Sequence, residues 1–181
     1  MYLDSCLPAK DVPHRVAEVR RFDQQVPSHE DPLIVMLLAA RLPDERLTAS
    51  QVVERRLTSL AEPGLWQAVK AGKYFAMPGA GSLSPVFPAW QFVSPAPELI
   101  PPIIRALQSH PEVERWTFWR SQWDELGDLT CAEIICGKLH LYRNSVSLDD
   151  MEILCAANHE RQRIVMRQLA FLPSRLSRAG V

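Results

Sequence analysis

Two helix-start signals of one kind, Thr48-Ala-Ser-Gln51 and Thr130-Cys-Ala-Glu133, constrain this chain more than any other feature. In each, the threonine hydroxyl accepts the amide three residues on, and the glutamine or glutamate side chain reaches back to the threonine amide. Both satisfy amides that a helix start leaves without partners. Ser147-Leu-Asp-Asp150 opens a third helix, and Asp31-Pro32 a fourth, with Asp as cap and Pro at the first helical position. A chain marked in this way is mainly α.

Between the signals the pattern divides the chain into four parts. Residues 1–30 hold Pro8, Pro13 and Pro27 with no sustained period and read as an N-terminal arm. Residues 31–92 begin with Leu33–Ala40, apolar all round and therefore a buried helix. A helix over 49–60 follows, then a short one carrying Leu65, Trp66 and Val69 that Gly72 ends. Tyr74–Met77 and Val86–Phe92, separated by Pro78-Gly79-Ala80-Gly81-Ser82, form a β-hairpin. Two helices and a hairpin outline a small winged helix-turn-helix-like module. Residues 93–146 return to helices: one opening at Pro101-Pro102, and one on which Trp116, Trp119 and Trp123 recur at i, i+3 and i+7, so that one face carries all three. The short helix from Thr130 stops at Gly137, and a long final helix runs from Leu148 to about Leu172 within the last part, 147–181, as a dimerisation element or a partner-binding arm.

Composition narrows the function classes. With 47% hydrophobic residues in 181, the chain can build one domain or two small lobes. A formal net charge of -1 calls for neither a nucleic-acid nor a membrane partner, and leaves only local patches to bind one. Leu33–Ala40 is the longest apolar run, far below the ~20 residues of a membrane span. No Cys-x-x-Cys pair and no signal peptide occur, so Cys6, Cys131, Cys136 and Cys155 read as free thiols in a cytoplasmic setting.

No active site is legible, and no catalytic residue, cofactor or metal is expected. Cys131, Cys136 and His140 have a Cys-x4-Cys-x3-His spacing, with Cys155 or His159 as the remaining ligand of a tetrahedral zinc site. Five residues apart on a helix, the two cysteines diverge by about 140°. Cys131 at a helix N-terminus has no histidine within its own turn to act as base. Asp124/Glu125 and Asp149/Asp150 are adjacent pairs, which diverge on a helix, and no Gly-Lys-Ser/Thr follows Gly79 and Gly81.

Nucleic acid is the stronger candidate ligand. Residues 47–92 carry a local balance of +2 from Arg55, Arg56, Lys70 and Lys73 against Glu54 and Glu62. A recognition helix turns basic and polar groups to the groove, which selects Gln67, Lys70 and Lys73 with Arg55 and Arg56 nearby.

From Phe87 onward the residues resemble a known family. Phe87-Pro-Ala-Trp-Gln-Phe92 precedes a helix containing Leu99 to Leu107. Trp116-Thr-Phe-Trp119, Trp123, Leu126-Gly127, Leu129-Thr130 and Glu133-Ile-Ile-x-Gly137 follow. In order and spacing this is similar to the toxin-binding half of the MbcA/ParS/Xre-type antitoxins, over less than a third of the chain. The family's tryptophans would fall on Trp90, Trp116 and Trp119, and its closing Leu/Gly pair on Ile135 and Gly137. Cys131 stands where the family usually has proline, Trp123 where it usually has leucine, and the chain continues beyond the usual end of the module. The resemblance implies an antitoxin-like helical bundle, a small protein toxin as partner (typically of a class that consumes NAD) and repression of an operon through a linked helix-turn-helix. The chain is therefore expected to be a non-enzymatic regulator that forms a homodimer, with Arg115, Trp119, Arg120, Trp123 and Thr130 meeting the partner. Large aromatics at helical spacing also build cores, in which case the contact surface is the polar rim of Arg115, Arg120, Glu125 and Asp128. A protein-interaction adaptor whose winged module leaves DNA alone is the alternative.

Overall fold

The computed structural model describes residues 41–79, 84–123, 125–143 and 146–172; the N-terminal arm, Leu33–Ala40 and Cys6 lie outside the described residues. The chain is mainly helical, with seven α-helices among the described residues and a small antiparallel β element. Strand β1 (Arg46–Leu47) leads into α1 (Ala49–Glu54) and α2 (Glu62–Lys70). Strand β2 (Phe87–Pro88) pairs antiparallel with β1, Arg46 opposite Pro88 and Leu47 opposite Phe87. Met77 and Val86 exchange both backbone hydrogen bonds, at 2.9 and 2.8 Å, and close the expected hairpin. The order is strand, helix, helix, strand; the expected hairpin is reduced to the single Met77–Val86 bridge, and Ala89–Phe92 winds into a 3-10 turn instead of extending it. The two-residue β1 was not expected: it is too short to show a period.

A 3-10 turn (Ala89–Phe92) leads to α3 (Ala96–Leu107), followed by α4 (Glu112–Arg120), strand β3 (Glu125–Asp128), α5 (Cys131–Cys136), α6 (Leu148–Cys155) and α7 (Asn158–Gln168). Both expected capping boxes form, Thr48 with Gln51 and Thr130 with Glu133, and Ser147 makes a third with Asp150. Two helix ends share one rule. At Gly72 and Gly137 a residue with positive φ lets the next amide reach back five residues, Lys73 to Ala68 O and Lys138 to Glu133 O.

Four expectations are corrected. The helix over 49–60 ends at Glu54, because Arg56 takes φ 54 and Leu57 N–H closes on Val52 O, the same C-terminal motif built with arginine instead of glycine. The helix opening at Pro101 begins at Ala96: Ala96, Leu99, Ile100, Ile103, Ile104 and Leu107 form one buried stripe, and its packing outweighs the amides that Pro101 and Pro102 lack. The three indoles do not share one helix, since α4 stops at Arg120 and Trp123 follows it. The long final helix is two, broken at Ala156-Ala157; Arg161 turns back to Leu154 O while Val165 enters the core.

Two cores result. The smaller holds Leu47, Ala49, Val52, Leu65, Phe87 and Ala89. The larger surrounds α5, all six of whose residues are buried. Leu42 and Trp90 belong to this larger core, so a boundary after residue 92 cuts across shared packing. Leu42 pairs with His140 and donates to Leu139 O at 2.8 Å. Gln91, fully buried, reads the backbone of Phe75 with both ends of its amide at 3.0 Å. Phe75 in turn stacks on Trp119 with 5.8 Å between centroids. Among the described residues, no helix is long and apolar enough to cross a membrane.

Candidate functional site

The second helix of the winged arrangement, α2, buries Leu65 and Ala68 and turns Gln67 and Lys70 outward; Lys73, just past its end, is exposed as well. Leu65 and Ala68 against Gln67 and Lys70 is a plain i, i+3 division of the helix. Glu62 and Pro63 occupy the first turn, so positive charge is confined to the C-terminal half. Arg55 is exposed and ion-paired with Glu45, and Arg56, also exposed, sits in the turn between α1 and α2. The five basic and polar positions selected from the sequence thus lie on α2 and the two turns that flank it.

The partner residues are placed differently. Arg115 and Trp123 are half-buried and Arg120 is exposed. Trp119 and Thr130 are inside, at 1% and 0% exposure, and neither meets a partner from there. Trp119 packs among Phe75, Trp90 and Phe118. Thr130 caps α5, and because α5 is central its cap is central too. Trp116 is half-buried between the guanidinium groups of Arg46 and Arg120, 5.1 and 5.0 Å from its ring centroid, and Arg120 lies 3.5 Å from Asp44. Trp123 donates its indole N–H to Phe118 O at 3.4 Å.

Beneath these residues lies a buried polar network that sequence reasoning reached only at one point, the capping box. Glu133, fully buried, accepts from Thr130 N–H and Oγ1 on one oxygen and from His140 N–H and Arg143 Nε on the other, at 2.8 to 3.1 Å. A signal was present: an acid at the third position of an all-apolar helix is buried with that helix. Arg41 donates to the carbonyls of His140 and Arg143, at 3.2 and 2.7 Å, and ties the winged module to the same loop. His140 stacks on Tyr142, its Nδ1 buried without a partner; burial holds its pKa below the ordinary 6.5, against the opposing pull of Glu133 and Asp44.

Burial likewise pushes the Cys131 thiol up, and the Cys136 thiol up to about 12, opposite to what an attacking thiolate requires. Cys136 instead donates its S–H to Trp90 O at 3.7 Å. Among the described residues no three His, Cys, Asp or Glu side chains converge as a metal site would need.

Comparison with known protein families, curated proteins and solved structures gave no match.

Proposed function

We propose that the chain is a cytoplasmic, antitoxin-like transcriptional regulator. Its winged module contacts DNA, and its helical module binds a small protein toxin. The observation that carries the proposal is the exposed set of Gln67 and Lys70 on, and Lys73 just past, the second helix of a strand–helix–helix–strand unit. That helix is the one a helix-turn-helix lays in the major groove. The family resemblance supports the toxin partner, with Arg115, Arg120 and Trp123 as accessible contacts and Trp119 as their support.

Titrating salt against binding to the DNA upstream of its own gene tests the first half. Phosphate contacts by Lys70 and Lys73 predict log affinity falling against log salt with a slope of about -2, and Lys70→Ala or Lys73→Ala should each reduce that slope by about one. Absence of binding at low salt would remove the repressor role. The adaptor alternative is favoured by one observation: Glu62 is exposed on α2 and Arg55 is already paired with Glu45, which leaves few free cations. For the second half, the product of the adjacent gene should co-purify with this chain and lose its toxicity on co-expression.

A further inference from the structure

On the side formed by β3, α6 and α7, two cavities of about 510 and 340 Å³ meet and share Asp149 and Ile153. Along α6, Asp149, Glu152 and Ile153 recur at i, i+3 and i+4, so one face of the helix lines the cleft, with Ala156 just past its end. Glu160 and Ile164, four apart on α7, form the opposite wall, and Glu125 and Asp128 close the end at β3. The floor is apolar, made by the half-buried Ile153 and Ile164. The rim is acidic, and among the described residues no lysine, arginine or histidine lines either cavity. Glu160 pairs with Arg163, whereas among the described residues Glu125, Asp128, Asp149 and Glu152 have no ion-pair partner. Asp150 is committed elsewhere, as the cap partner of Ser147.

A groove between two helices with an apolar floor accepts the apolar stripe of a third helix. Four uncompensated carboxylates on its rim select cations on either side of that stripe and repel nucleic-acid phosphates. We infer that this groove docks a basic amphipathic helix of the protein partner. The inference rests on the reading that the chain has such a partner, and adds α6 and α7 to the contact surface.

A synthetic amphipathic peptide of about 14 residues, roughly four turns, with leucines at i, i+3 and i+7 and lysines flanking them, serves as probe for calorimetry with the intact chain. The groove predicts saturable binding that weakens at least about tenfold in Asp149→Lys/Glu152→Lys, and similarly in the half-buried Ile153→Gln, with each variant still showing a cooperative thermal transition. A scrambled peptide of equal composition should bind at least about tenfold more weakly. Equal binding of the scrambled peptide, or unchanged binding by the variants, overturns the inference. So does a gain of more than about tenfold on shortening the chain after Leu172, which would assign the groove to the chain's own end, or a self-association that Ile153→Gln abolishes, which would assign it to a second copy. If Asp149→Lys/Glu152→Lys still captures the adjacent gene's product as wild type does, the groove inference fails while the proposed function stands; if wild type captures nothing, the proposed function fails first.

Discussion

The winged module and the helical module solve the same problem at different scales. The first rests on six buried apolar residues and displays its charges; the second rests on twenty-two and encloses charges within it. A core of six gives a unit of that size little independent stability. Its contacts with the helical module are accordingly specific: Phe75, held by Gln91, on Trp119, Arg46 on Trp116, and Leu42 beside His140. The smaller unit is thus held in place by the larger one.

The largest expected effect breaks the stronger side. Glu133→Ala would strand Arg143 and three other donors around a void, at a cost of about 3–5 kcal/mol. Chemical denaturation should show both modules lost in one transition at lower denaturant. A smaller loss separates them: Gln91→Ala leaves the Phe75 N–H and C=O unpaired, costing about 1–3 kcal/mol. Hydrogen exchange should then quicken over residues 46–77 while 99–107 keep their protection; uniform quickening would deny any difference between the modules.

The pH dependence of stability probes the loop where they join. The folded pKa of His140 lies below its ordinary 6.5, so the unfolded chain binds the proton first. The stabilisation is complete above pH 6.5 and is lost as pH falls from there through the lower, folded pKa. Thermal melts of His140→Gln should show a flatter acid limb than wild type. Smallest of all, Arg56→Gly should stabilise the chain by about 0.5–1 kcal/mol, because glycine accepts φ 54 without the steric cost that arginine bears. If Arg56 also meets phosphate, the same variant binds DNA more weakly despite its greater stability.

Legibility in the sequence followed the reach of each interaction. Thr48, Thr130 and Ser147 act within four residues, so the helix starts could be read directly. Gly72 and Gly137 announce their left-handed ends, whereas Arg56 performs the same role without announcing it. A Cβ at Gly137 would overlap Arg161, so the position is fixed twice, once by φ and once by a contact 24 residues on that no local pattern reveals. The break at Ala156-Ala157 is of the same kind, written in what Arg161 and Val165 pack against. The candidate DNA face was legible because α2 divides cleanly into Leu65/Ala68 and Gln67/Lys70. The partner face was not, since helical period says that Trp119 has a side, not that Trp90 and Phe75 already fill it.

The central claim, that the two modules divide DNA and partner between them, is tested most directly by one doubly read pull-down. The Lys70→Ala/Lys73→Ala chain is mixed with the upstream DNA and the adjacent gene's product. The account predicts that DNA retention is lost while the protein is captured as by wild type. Loss of both together, or retention of DNA, would contradict it.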